Sequence, residues 1–189
     1  MRIKPLPPDT LSAEVRYVHD EIASLIGRSQ SQVTMLDEQG ALLGPFPPML
    51  HYPQFGIPAL SFLRALDMHA TLDKRVREVA ILTVGAAFGA RFELHVHEIM
   101  AAAFGLSEPI VASLAAGGHP YGLNEQETIA HTIAGVLVDG HVVPESTYKQ
   151  ATRLLGQQGV AELFFLISGY SLIAMILNGF DMPAPDNNN

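Results

Sequence analysis

The segment "AELFFLISGYSLIAMILNGF", residues 161–180, constrains the fold more than any other, because its twenty positions carry a single charged residue, Glu162. Such a stretch has to leave water, either in a bilayer or against other apolar helices. By hydropathy it passes for a membrane span. It stands alone in the chain, however, and lacks flanking positive charge. A helix at the centre of a core or at a subunit contact is therefore the expectation. The 189 residues are 48% hydrophobic and only 16% charged, a composition that suits an oligomer hiding part of its surface. The length fits one domain with a real core, expected to span 1–189 with residues 1–10 and 182–189 as extended or flexible tails.

The remaining pattern is helical. Val15, Val18, Ile22 and Leu25 recur at helical spacing over about 11–27, before a terminating Gly27. "GPFPPMLHYPQFG", residues 44–56, holds four prolines and two glycines and reads as an irregular connection lining a pocket or an interface. Helices are expected over 58–69, from Asp73 to about Phe88, and over 91–104. A short one follows Ser107, the Asn124–Glu127 capping box opens one to about Val138, and two more lie near 144–156 and 160–178. Residues 28–43 give no clear pattern, and "VLVDGHVV" is the one candidate strand. Seven or so helices, without a strand pair, a repeat or a dividing linker, make an all-α fold.

Composition also removes whole classes of function. The chain has 19 acidic and 11 basic residues and a formal charge of -8, with no basic cluster to meet a phosphate backbone, so no nucleic acid partner is expected. It contains no cysteine, which excludes disulfides, thiol redox chemistry and thiolate metal sites. The start, "MRIKPLPPDT", lacks the apolar run of a signal peptide, leaving a soluble, cytoplasmic protein as the default expectation.

Chemistry is concentrated in "ARFELHVHEI", residues 90–99. Successive helical residues advance by about 100°, so Glu93 and His97 share a face one turn apart while His95 points away. Glu78 stands just before Val79, Ala80, Ile81 and Leu82, where the polar stripe of its helix ends. A carboxylate entering such surroundings needs a hydrogen-bonded partner or takes up a proton. Antiparallel packing of the two helices across Gly89–Ala90 would bring Glu78 to the face of Glu93 and His97. Three readings stay open at this point. The trio is an ion-pair network neutralised by Arg75 or Arg77, an acid–base set in which close carboxylates raise one another's pKa, or a metal site. The last is disfavoured because "HVHE" is not the HExxH pattern. His51 and Tyr170 are candidates for lining the same pocket, and Arg75 or Arg77 for holding a substrate carboxylate.

The stretch "REVAILTVGAAFGARFELHVHEIMAAAFGLSEPIV", residues 77–111, resembles the carboxymuconolactone decarboxylase family, which includes the AhpD-type alkylhydroperoxidases. "GPFPPMLHYP" before it and "GVAELFFLISGYSLIAMILNGF" after it extend the resemblance over roughly 12–181. The resemblance implies an AhpD-like helical fold with a core helical hairpin, and a homo-oligomer, trimer or hexamer, with active sites near subunit contacts. In the peroxidase branch a glutamate precedes a CxxC pair, and a histidine follows one turn later. Glu78 and His97 fall on the glutamate and the histidine, Ala90 and Glu93 on the two cysteines. A dithiol–disulfide peroxidase cycle is thus impossible here. What the resemblance implies instead is decarboxylase-like acid–base catalysis by Glu93, His97 and Glu78 on a small lactone or carbonyl-activated carboxylic acid, with no cofactor, metal or membrane. An isomerase or dehydratase, a metal-dependent enzyme, and a non-catalytic binding or structural homolog are the alternatives.

Overall fold

Prolines and glycines punctuate the chain and set where its helices start and stop. The computed structural model describes residues 1–28, 33 and 35–185, without the side chains of 25–28. The Leu25 side chain, part of the unassigned 28–43 segment and the end of the C-terminal tail accordingly lie outside what is described. Eight α-helices are found among these: α1 (Ala13–Arg28), α2 (Phe46–His51), α3 (Pro53–Met68), α4 (Lys74–Phe88), α5 (Arg91–Ala103), α6 (Glu108–Ala115), α7 (Glu125–Val138) and α8 (Glu145–Gly179). No strand occurs among the described residues, only an isolated bridge between Leu36 and Leu42. The fold is all-α, as expected.

Several local expectations are corrected. The proline-rich segment 44–56 is largely helical, forming α2 and the start of α3. Its prolines occupy first turns, where the missing N–H would have lacked a partner anyway. "VLVDGHVV" is not a strand: Val136–Val138 finish α7, and the chain turns at Gly140, which has a φ of 77°. Two caps are as read, whereas Ser107 makes no side-chain cap bond and α1 runs one residue past Gly27. The Asp73 side chain accepts from the Arg75 N–H, and Asn124 and Glu127 form both bonds of the capping box. The first residues are tied down rather than loose. The Met1 amino group pairs with Asp181 at 3.1 Å, and Arg2 donates to the Gly179 carbonyl at 2.8 Å.

Helix α4 is the central element, packed against α5, α6, α7 and α8, with every residue from Val76 to Gly85 buried. Ile81 and Val84 of α4, Ile129 and Ile133 of α7, and Leu163 and Leu166 of α8 form the main core. Each such side chain contributes roughly 1.5–3 kcal/mol on burial. Helix α8 is broken at Gly156, whose φ of 73° and ψ of 167° are non-helical, so it matches the two helices expected near 144–156 and 160–178. It is long and apolar enough to cross a membrane by length and composition, yet half of its most apolar window is buried inside the protein.

Candidate active site

Gly89 takes the left-handed conformation, φ 60°, and ends α4; Arg91 opens α5 two residues later. The two helices therefore fold back on each other. Gly85 lets them close: a Cβ there would lie 3.1 Å from Leu94 and 3.4 Å from Glu93 Oε1. This hairpin brings Glu78, from the middle of α4, against His97, two turns into α5.

Glu78 Oε2 and His97 Nδ1 are 2.8 Å apart, and both side chains are buried. An ionised carboxylate can only accept, so this contact makes Nδ1 the donor; in the neutral imidazole the lone pair then lies on Nε2. Neither Arg75 nor Arg77 neutralises Glu78. Arg75 pairs with Glu127 at 2.9 Å. Arg77 reaches Glu162 at 3.0 Å, Asp67 at 2.7 Å and the Leu66 carbonyl at 3.0 Å.

Glu93 sits one turn before His97 and is only 3% exposed. Neither of its carboxylate oxygens has a hydrogen-bond partner among the described residues. Burial without compensation pushes its pKa up to about 9, so the group is a neutral carboxylic acid at neutral pH. The Tyr170 ring from α8 stands edge-on to His97, centroids 5.0 Å apart. Burial, and then the nearby carboxylates of Asp67, Glu78 and Glu93, raise its pKa further, so the phenol keeps its proton.

Glu93, His97 and Tyr170 line an open cavity of about 750 Å³ between α1, α3, α5 and α8. Its wall is mostly apolar, with Ile22, Leu60, Phe92 and Ile173 among the lining side chains. Such volumes accommodate drug-sized organic molecules. Arg64, Asp67 and Glu21 line it too, with Arg64 and Glu21 loosely paired at 3.5 Å and partly exposed.

The structure thus gathers Glu78, His97, Glu93 and Tyr170. It does not bring in His51, which is exposed and hydrogen-bonds the Lys4 carbonyl at 2.9 Å, nor Arg75, which is engaged with Glu127. Neither lines the cavity. Arg64 and Asp67 were missed in the sequence. They are the only charged residues of α3, three positions apart, and that spacing on an otherwise apolar helix was the available signal. Among the described residues no group of three or more His, Asp or Glu is placed to hold a metal ion.

Three solved structures resemble this fold. A peroxidase-related protein from Ralstonia eutropha JMP134, described as an alkylhydroperoxidase AhpD core, superposes with a TM-score of 0.79 at 14% identity, covering 98% of this chain and 92% of its own. The debrominase Bmp8, as a cysteine-to-alanine variant in complex with 2,3,4-tribromopyrrole, gives a TM-score of 0.74 at 12% identity, with coverage of 98% and 92%. Its apo form gives 0.73 at 11% identity, with coverage of 97% and 91%. No family model matches the sequence, and no curated protein does. The chain therefore has an all-α, AhpD-like fold. At these identities the fold is what is shared, and no particular family is assigned.

Proposed function

We propose that the protein is an acid–base enzyme that moves a proton on a small, carbonyl-activated organic molecule bound in the α1–α3–α5–α8 cavity. The observation that carries this reading is the Glu78–His97 contact at 2.8 Å, opening on a cavity where the next polar group, Glu93, holds a proton and lacks a partner. His97 Nε2 is the base, and Glu78 orients it and stabilises the imidazolium. Glu93 is the acid. A thiol peroxidase is excluded because the chain has no cysteine. Carboxymuconolactone decarboxylase-like loss of carbon dioxide and a simple double-bond shift use the same groups. Arg64, the one arginine lining the cavity among the described residues, favours a substrate with a carboxylate at the mouth, and so keeps decarboxylation in view.

The same reading carries an expected homo-oligomer, supported by exposed apolar side chains on α3 and α8, namely Phe55, Met68, Phe165 and Met175.

The test is NMR of lactone acids and cyclic enones in D₂O, following both carbon dioxide release and deuterium uptake. Turnover should fall about 10²–10⁴-fold in His97→Gln and in Glu93→Gln, the range that a positioned proton donor or acceptor supplies. Unchanged turnover in both variants would sink the proposal.

A further inference from the structure

We propose that Glu93 and Tyr170 together form a binding site for the carbonyl oxygen of an enolisable ketone, ester or lactone, and that His97 Nε2 removes the proton from the carbon beside that carbonyl. This deepens the acid–base reading and rests on it, because it says what the cavity binds and which atom each group faces.

The argument begins with unused hydrogen-bonding capacity. Glu93 is buried in an apolar wall with both oxygens unpartnered among the described residues. The Tyr170 hydroxyl likewise has no hydrogen bond there, although its ring lines the cavity. Both groups flank His97: Glu93 one turn away on α5, Tyr170 with its ring 5.0 Å from the imidazole. Two neutral O–H donors beside a free imidazole nitrogen suit an oxygen that gains negative charge during reaction. They are a poor site for a bound carboxylate, since no arginine among the described side chains reaches them. Arg75 and Arg77 are engaged with Glu127 and with Glu162 and Asp67, and Arg64 lies with the exposed Glu21 pair. A neutral carbonyl is the group that this floor of the cavity accepts. Its apolar walls and volume of about 750 Å³ take a body larger than a single small ring.

The step balances within the substrate and these side chains. The α-carbon's C–H bond breaks and its proton goes to His97 Nε2. The electron pair becomes the new C=C bond, and the carbonyl π pair moves onto oxygen, which accepts hydrogen bonds from the Glu93 carboxylic acid and the Tyr170 phenol. In a β,γ-unsaturated substrate of this class the oxygen pair then re-forms the C=O bond, and the enolate C=C pair shifts to join the α- and β-carbons. The former β,γ π pair takes the proton from the imidazolium at the γ-carbon, giving the conjugated carbonyl and restoring every group. No oxidant or reductant enters.

The experiment uses 2-naphthol, a flat mimic of an enolate, followed by its fluorescence on titration with the whole protein. Wild type should bind it, and Tyr170→Phe and Glu93→Leu should each weaken binding about three- to tenfold, the loss expected for one hydrogen bond to a neutral oxygen. Glu93→Gln, still a neutral donor, should bind within about threefold of wild type. Circular dichroism would show that each variant folds. Equal affinity in wild type, Tyr170→Phe and Glu93→Leu overturns the inference, as does failure of wild type to bind. His97→Gln separates the two proposals: it should bind naphthol like wild type while losing turnover. Retention of both would remove His97 as the base and leave the oxygen site standing.

Discussion

Glu162, on α8 beneath the α3–α4 loop, and Glu93, on α5 at the cavity wall, are buried to a similar degree, 8% and 3% exposed. Their surroundings differ completely. Glu162 receives the Thr71 hydroxyl at 2.6 Å, the Thr71 and Leu72 backbone N–H groups at 2.8 and 3.1 Å, and Arg77 at 3.0 Å. Burial alone would raise its pKa, but the bonds from Thr71, Leu72 and Arg77 hold it below the ordinary carboxylate range. Glu93 meets no donor, and burial raises its pKa to about 9. One carboxylate ties α8 to the α3–α4 loop and to α4. The other keeps a proton facing a cavity. A buried acid with satisfied oxygens is a structural part, whereas one left unsatisfied beside a base and a cavity is available for chemistry.

The comparison can be broken by three measurements of stability. The largest effect should come from Glu162→Ala, which leaves the Arg77 guanidinium buried with only Asp67 and a carbonyl and strands three donors. A loss of about 3 kcal/mol in urea unfolding is expected. A loss under about 1 kcal/mol would mean that Glu162 anchors nothing.

Glu93→Gln should act in the opposite direction and stabilise the protein. The unfolded carboxyl titrates near 4.5 and the folded one near 9, so between these values the native state binds one more proton than the unfolded state. Stability conferred by that proton is fully present below pH 4.5 and is lost as pH rises toward 9, at about 1.4 kcal/mol per pH unit. Gln, always neutral, escapes this loss. Its advantage over wild type should be absent near pH 4, amount to about 3 kcal/mol at pH 7 and level off above pH 9. An advantage that does not vary with pH would place an ionised carboxylate at position 93. It would then resemble position 162.

The smallest effect is expected from Thr71→Val, which removes one donor from Glu162 and keeps the shape of the side chain. About 1–2 kcal/mol should be lost. The same substitution should leave naphthol binding at the cavity unchanged. Weaker binding would show that the two carboxylate regions are coupled.

Much of the site was legible along the chain. The one-turn spacing of Glu93 and His97 and the isolation of Glu78 before an apolar run follow from helical geometry, and the break at Gly89 suggested the hairpin. Tyr170, distant in sequence, was named only as a candidate for the pocket, and its edge-on contact with His97 depends on how α8 crosses α5. His51 and Arg75 show where such reasoning stops. Nothing in their local pattern reveals that one bonds the Lys4 carbonyl and the other pairs with Glu127, because both partners lie some fifty residues away in the chain. The helical nature of 44–56 was missed for a related reason: prolines break a helix interior but suit a first turn, and composition does not say which they occupy.

Sequence by itself determined the class of fold, the break between two helices at Gly89, and the impossibility of thiol chemistry, since periodicity, backbone freedom and the absence of a sulfur nucleophile are local properties. Only the tertiary structure decided which of two buried glutamates has its oxygens satisfied. Hydrogen-bond satisfaction and desolvation are set by neighbours brought in from elsewhere in the chain, and it is they that leave Glu93 neutral and Glu162 ionised.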